Sequence, residues 1–332
     1  LSSLVAGVAY FLLINALANL LNDAALTTYL QLLTLMIPAY LLTSVYSGYL
    51  TGTKQFVKQS TVPIVYSAAR LVLTIALAYT LLLLGAVLAF VAAGVLTLAY
   101  TAMVARNKLQ SKEPAVNVQK RLITGIALIM LFNGLFAFLT NVDLFMVKAI
   151  ASDNATAGYY TAASTIAKIP YLIMSSLALL IMPVIVEAVK GEMAKARRLV
   201  REINRYILLL LVPAAVLIST KATNTVALFY KSDYIAAAEP LRLLVIAAVL
   251  ATIVTAVLTM TIAAGNSTMP IAITAAMIIG SLKLSQTLIP SYGMVGAATA
   301  MLITFGLGAV VSVAYLVAKL GTFVYLKSIL RI

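Results

Sequence analysis

The 332-residue chain contains no cysteine, no histidine and no tryptophan, and only nine acidic residues. Without cysteine there is no disulfide and no thiolate chemistry, and without Cys or His the usual zinc ligand sets cannot form. The missing histidine also removes the commonest general base. Nine carboxylates are too few for a carboxylate-rich metal site, so no metal or other cofactor is expected. Charge of either sign is scarce as well. Charged residues make up 10% of the chain, against about 25% in a soluble domain, which leaves too little polar surface to face water.

What the chain does have is apolar length: 63% of residues are hydrophobic and the mean hydropathy is +1.09. Apolar stretches near twenty residues recur throughout, each long enough to cross about 30 Å of hydrocarbon as a helix. Spans are expected at 1–21, 27–50, 62–84, 86–105, 122–149, 158–186, 206–222, 238–263, 268–288 and 295–317. The roughly ten-residue alternating segments of a transmembrane barrel are absent. The expected class is an all-α integral membrane protein with about ten transmembrane helices, multi-pass in the cell membrane.

The net charge of +14 is laid out in a pattern. Lys54 and Lys58, then Arg106, Lys108, Lys112, Lys120 and Arg121, then Lys190, Lys195, Arg197, Arg198, Arg201 and Arg205, fall in alternate connections, and Lys319, Lys327 and Arg331 lie in the tail. The opposite connections hold only Lys221 and Lys231. The positive-inside rule then places the basic loops and the C-terminus in the cytoplasm. This excess speaks for a lipid bilayer as partner and against nucleic acid. The segment 187–205 is expected to form a short amphipathic helix on the cytoplasmic face.

An internal repeat organises the chain. Gly52 precedes Arg70 by 18 positions and Gly85-Ala86 opens the next span; Gly265 precedes Lys283 by 18 and Gly296-Ala297 opens the next. A parallel repeat of this kind is common in transporters. It predicts a first helical lobe at 1–105 (four spans), a basic cytoplasmic linker at 106–121, a second lobe at 122–317 (six spans) and a tail at 318–332. Lys283 lies on the fifth span of the second lobe but Arg70 on only the third of the first. The expected architecture is therefore 4 + 6 of a 6 + 6 arrangement, with two further helices before Leu1. No positively charged n-region or cleavage site is visible in the first apolar segment, so it is not expected to be a signal peptide.

Charges inside spans cost about 3 kcal/mol each on insertion scales and normally face a bundle interior or a wet cavity. Arg70 shares a helix face with Tyr66 and Thr74, spaced i, i+4, i+8; it either lines a cavity or snorkels to headgroups. Lys283 shares a face with Gly280 and Gln286, with the same two readings. Lys168 lies in a polar stripe with Thr161, Ser164, Thr165, Tyr171 and Ser175, which reads as a water-facing wall or as helix–helix hydrogen bonding. Asn15, Asn19 and Asn22 form another stripe, as do Thr252, Thr255 and Thr259. Asp143 and Lys148 sit near the outer end of the fifth span, and Arg242 near the outer end of the eighth. Pro170 and Pro183 are placed to bend the sixth.

Some of these residues fall in a recognisable order. Asn141-Val142-Asp143-Leu144-Phe145-Met146-Val147-Lys148, a short polar turn, and Gly158-Tyr159-Tyr160-Thr161-Ala162-Ala163 come first. Pro183 before a charged helix follows, then Ile289-Pro290-Ser291-Tyr292-Gly293-Met294-Val295-Gly296-Ala297-Ala298. This order resembles the polysaccharide-biosynthesis (O-antigen) flippases of the multidrug/oligosaccharidyl-lipid/polysaccharide (MOP) exporter superfamily. The resemblance implies a MATE/MOP-like fold of two pseudo-symmetric lobes around a cavity. It implies flipping of lipid-linked oligosaccharide from the cytoplasmic to the outer leaflet by alternating access, without enzymatic catalysis. The implied partners are a polyprenyl phosphate or diphosphate saccharide and the glycosyltransferases or polymerase of its pathway.

On this reading Arg70, Lys168, Lys283 and Lys148 bind the anionic head, Asp143 and Asn141 serve ion coupling or gating, and Asn15, Asn19, Tyr66, Thr74, Thr161, Ser164 and Thr165 line the cavity. Three alternatives stay open: a cation-coupled multidrug (MATE-type) antiporter, for which Asp143 is the one intramembrane carboxylate; a membrane-embedded saccharide ligase or glycosyltransferase; and a non-transporting interaction protein.

Overall fold

A computed structural model of the chain describes residues 2–21, 23, 25–106, 120–150, 153–172 and 193–320. Among these every regular element is helical, and they form two compact units, Leu1–Asn117 and Val118–Ile332. Asn22, Ser175, Pro183, residues 187–192 of the expected amphipathic segment, most of the linker and the end of the tail lie outside the described residues.

The first unit holds α1 (Ser2–Leu20), α2 (Leu26–Thr34), α3 (Met36–Gly52) and α4 (Phe56–Arg106). The second holds α5 (Lys120–Leu139), α6 (Val142–Ile150), α7 (Asn154–Ala167), α8 (Met193–Thr220), α9 (Ala222–Phe229), a 3₁₀ turn at Ser232–Ala237, α10 (Ala238–Ala263) and α11 (Thr268–Leu320). At the centre of the second unit α10 packs against α7, α8 and α11. Beyond Arg242 it carries no charge, and a helix apolar all round is a buried one.

Five described helices are long and apolar enough to cross a membrane, or six if the bent α5–α6 pair counts as one span, against the ten expected. Two of the missing spans lie in α4 and α11, of 51 and 53 residues. A straight helix of that length would run to about 75–80 Å, far beyond a bilayer core. Each is instead a hairpin. α4 breaks at Leu82 (φ 52°, ψ −127°) and α11 at Gly293 (φ 55°, ψ −133°). In α4, Thr61 bonds Tyr100 at 2.7 Å and the Arg70 guanidinium lies 3.8 Å over the Phe90 ring. Around α11, Asn266 in the turn before the helix donates to the Tyr315 hydroxyl at 2.7 Å, and within it Ser281 meets Met301 at 3.4 Å. Each hairpin thus contains two of the expected spans.

The repeat is visible in backbone geometry, at a register different from the one read in the sequence. α3 and α10 end alike. The N–H of Lys54 reaches the Thr51 carbonyl and that of Gln55 the Leu50 carbonyl, while Gly265 reaches Ile262 and Asn266 reaches Thr261. This is the same Schellman cap, built on a left-handed residue: Lys54 at φ 57° and Gly265 at φ 91°. Lys54 and Gly265, Leu82 and Gly293, and Gly85 and Gly296 each stand 211 positions apart. Thr74 and Ser285, at the same separation, each leave a buried hydroxyl oxygen without a partner. In this register Arg70 corresponds to Ser281, and Lys283 to Val72. The pairing of Arg70 with Lys283 is therefore corrected. Matching glycine to glycine misplaced it, because the first cap uses a lysine where the second uses a glycine.

The expected short amphipathic helix is corrected too. Its described part, from Met193, runs without interruption into the following span as one 28-residue helix.

Candidate substrate cavity

The second unit breaks two of its helices at the same place. Between α5 and α6 the chain bends by 42°. The cause is local: Asn141 Nδ2 and Thr140 Oγ1 both donate to the Ala137 carbonyl, at 2.8 and 3.0 Å, and such side-chain bonds compete with the helical ladder. Asp143 follows in the first turn of α6, where the helix dipole favours a negative charge.

α7 is started by Asp153, whose carboxylate accepts from the Thr156 N–H at 2.6 Å, and it stops at Lys168. Pro170 explains the stop. It has no N–H for the Ile166 carbonyl, and its ring crowds that carbonyl. The helix resumes just beyond, with the Leu172 N–H bonded to Lys168.

Two side-chain bonds join the broken segments. The Lys168 ammonium donates to Asn141 Oδ1 at 3.0 Å. Tyr160, fully buried, donates its hydroxyl to Asp143 Oδ2 at 2.8 Å. The other carboxylate oxygen, Oδ1, is buried with no partner. Asp143 itself is 1% exposed, in surroundings where an unpaired charge is costly, and Lys168 attracts it electrostatically.

These groups line a cavity of about 280 Å³. Thr140, Asn141 and Asp143 come from the α5–α6 break; Ser164, Lys168 and Tyr171 come from α7 and the turn after it. The opposite wall is small and apolar, with Leu244, Ala247, Ala248 and Ala251 of α10 and Met301 and Phe305 of α11. Alanines spaced at three and four residues leave the room. The result is an apolar chamber with one ammonium and one carboxylate at its polar side.

The cavity brings together Asn141, Asp143, Ser164 and Lys168 among the residues expected from sequence. It does not include Lys148, whose ammonium is held by Asn154 Oδ1. Thr161 and Thr165 are exposed on α7 and bond back to Ala157 and Thr161 of their own helix. Lys283 is exposed on α11 and Arg242 sits on α10, both outside the cavity. Thr252 and Thr255 bond to their own helix. In the first unit Asn15 and Asn19 are exposed on α1, each next in sequence to a buried residue, Ile14 and Ala18. Arg70 is exposed and stacked on Phe90, while Tyr66 and Thr74 are half-buried.

Sequence reasoning missed the role of Tyr160. It stood in the Gly158-Tyr159-Tyr160 motif, and a tyrosine facing an intramembrane Asp is a natural donor, but 17 positions on separate helices give no register. Among the described residues no group of three or more His, Cys, Asp or Glu could hold a metal.

Comparison with known proteins supplies the rest. The sequence model of a family described as "Polysaccharide biosynthesis protein" matches residues 1–239. No curated protein matches the chain. Among solved structures, the lipid II flippase MurJ in an inward closed conformation is similar with a TM-score of 0.79 at 14% identity, over 99% of this chain and 71% of its own. An outward-facing multidrug resistance MATE family transporter of the MOP superfamily follows at 0.75 and 17%, over 96% and 76%. A MOP superfamily transporter from Pyrococcus furiosus, described as having a binding pocket of reverse polarity, gives 0.74 and 16%, over 96% and 76%. At these identities the likeness establishes the fold, which is that of MOP-superfamily membrane transporters.

Proposed function

Because the chain belongs to the polysaccharide biosynthesis protein family and has the fold of MOP-superfamily transporters, we propose that it flips lipid-linked oligosaccharide across the membrane by alternating access. The carrying observation is the Lys168–Asn141 bond, which sets a cation between two helix breaks inside an apolar chamber. An ammonium has three N–H donors and this one spends one on Asn141, so donors remain for a phosphate or diphosphate head. A charge-assisted bond of that kind is strong where water is excluded. Ligand pockets run from about 300 to 1,000 Å³, so a chamber of about 280 Å³ suits a head group and leaves the saccharide outside it. Broken helices with polar ends at mid-span are how transporters expose backbone and charge to cargo.

The basic connections support a cytoplasmic C-terminus and transport from the cytoplasmic to the outer leaflet. The cargo would come from glycosyltransferases and pass to a polymerase of the same pathway. The test is reconstitution of the full chain in liposomes with a fluorescent polyprenyl-diphosphate saccharide. Protein-dependent loss of inner-leaflet probe is expected, and a rate equal to empty liposomes would refute the reading.

One observation favours a second reading, cation-coupled multidrug antiport. The unpartnered buried Oδ1 of Asp143 is the kind of group that a proton or sodium ion satisfies. Under that reading drug efflux follows an imposed cation gradient and disappears in Asp143→Asn, while the lipid-linked probe stays in place.

A further inference from the structure

α4 carries a charge that the chamber does not use. Arg70 stands 12 positions from Lys58, at the basic end of its arm, and 12 from the break at Leu82. Each separation is about 18 Å along a helix, so Arg70 lies mid-arm, too deep for its side chain to snorkel out at either end. It is exposed, and an arginine at that depth normally faces a wet cavity rather than hydrocarbon. It is also alone. Between Lys58 and Arg106 there is no other cation, and the one carboxylate from Ser2 to Arg106 is Asp23, before α2. Among the described residues the Arg70 guanidinium has no hydrogen bond and no ion pair.

Its geometry is nonetheless set. Cζ lies 3.8 Å over the centroid of the half-buried Phe90 ring, well inside cation–π range. Stacking holds the guanidinium by one face and leaves its in-plane N–H donors clear. The repeat locates the pair. At a separation of 211 positions Arg70 and Phe90 correspond to Ser281 and Met301. Those two meet at 3.4 Å, and Met301 lines the chamber. The correspondence extends to α3. A Cβ on Gly94 would stand 3.5 Å from Met36, and the counterparts of these two, Phe305 and Ala247, both line the chamber. Phe90, with Arg70 stacked on it, therefore stands on the face of the first unit that matches the chamber wall of the second.

Charge and shape choose the ligand. One guanidinium balances one negative charge, and no second cation lies on this arm above Lys58 to meet the further charge of a diphosphate. The planar fork matches the two oxygens of a carboxylate. Aromatic side chains stand beside it: Phe90 beneath, and Tyr66 one turn earlier on the same helix face. Such rings offer apolar area to the carbon face of a sugar.

We propose that Arg70, held on Phe90, is a carboxylate site for the saccharide part of the cargo, which is thus an acidic saccharide carrying a uronic acid. The uronate carboxylate takes the guanidinium fork and its ring lies against the aromatic side chains. The site rests on the transport reading above for its class of cargo, and it is separate from the chamber in which Lys168 holds the head.

The experiment titrates the purified full chain in detergent with methyl glucuronide and with methyl glucoside, which carries a hydroxymethyl group in place of the carboxylate. Binding is read by saturation-transfer NMR. Wild type should favour the glucuronide at least tenfold. Arg70→Gln should remove that preference, and Arg70→Lys should keep part of it, since an ammonium retains the charge and loses the fork. Phe90→Leu keeps the charge, removes the platform and should lower glucuronide affinity several-fold. If Arg70→Gln fails to fold, Phe90→Leu carries the test. Equal binding of the two sugars by wild type, or wild-type preference in these variants, overturns the site. Displacement of the glucuronide by equimolar pyrophosphate would assign Arg70 to the head and overturn the carboxylate. No lipid and no transport enter the titration, so the two readings fail separately. Flipping without a preference for the glucuronide sinks this site alone, and the preference without flipping sinks the transport reading alone.

Discussion

Lys168 and Asn141 lie 27 positions apart on two helices that both break where they meet, and a 3.0 Å hydrogen bond from the Lys168 ammonium to Asn141 Oδ1 ties the breaks together. Neither break is accidental. One follows from side-chain competition for the Ala137 carbonyl, the other from Pro170. The polar side of the cavity is what these two local interruptions leave where they meet.

The partner bond at the same site, Tyr160 to Asp143, is open to a direct stability test. Tyr160→Phe keeps the ring and its packing and removes the hydroxyl that donates to Oδ2. Leaving a buried acceptor unmet costs about 1–3 kcal/mol, so the variant should melt several degrees lower in detergent. An unchanged Tm would mean that the carboxylate finds another donor.

Substitutions at and near the two hairpin breaks predict opposite responses. Leu82 adopts φ 52°, ψ −127° while 76% exposed, a conformation that costs a side-chain-bearing residue about 1–3 kcal/mol. Leu82→Gly should stabilise the chain by about 1 kcal/mol or more. Gly296→Ala should do the reverse, because an added Cβ would stand 2.1 Å from the Leu288 carbonyl oxygen; overpacking of this kind costs about 1–3 kcal/mol. Gly306→Ala, with open space around its Cβ, is the control and should change little. Thermal melts of the three variants separate these outcomes.

Asp153 gives a pH dependence. The backbone N–H of Thr156, and then its hydroxyl, hold the Asp153 carboxyl below its ordinary value of 3.8. A lowered folded-state value means that the cap stabilises α7 above about pH 4 and that this contribution is lost as the pH falls through the folded value. Amide exchange at the first turn of α7 should accelerate below that pH in wild type. In Asp153→Asn, which caps without titrating, it should stay flat.

Much of the fold was legible because a bilayer simplifies the code. Apolar length alone marked Ala238–Ala263 as a helix with the same bounds that the structure shows. The hairpins were legible as pairs of spans, and their breaks fall near the expected boundaries. What sequence did not give was the register of the repeat. A left-handed backbone is a property of φ, and Lys54 and Leu82 adopt it without a glycine to announce it. Within the cavity, the charges Asp143 and Lys168 stood out for their cost in hydrocarbon, whereas Tyr160 and the alanine wall of α10 are ordinary membrane residues whose role arises only from packing between helices. Lys148 looked like Lys168 in sequence, yet Asn154, six residues on, engages its ammonium.

The most direct test of the central claim is the flipping rate of a polyprenyl-diphosphate saccharide in liposomes containing wild type, Lys168→Ala or Lys168→Arg at equal reconstitution. The cationic chamber predicts at least a tenfold loss in Lys168→Ala and partial activity in Lys168→Arg, because the arginine keeps the charge and alters its reach. Wild-type flipping by Lys168→Ala would contradict it and leave the chamber without a role in holding cargo.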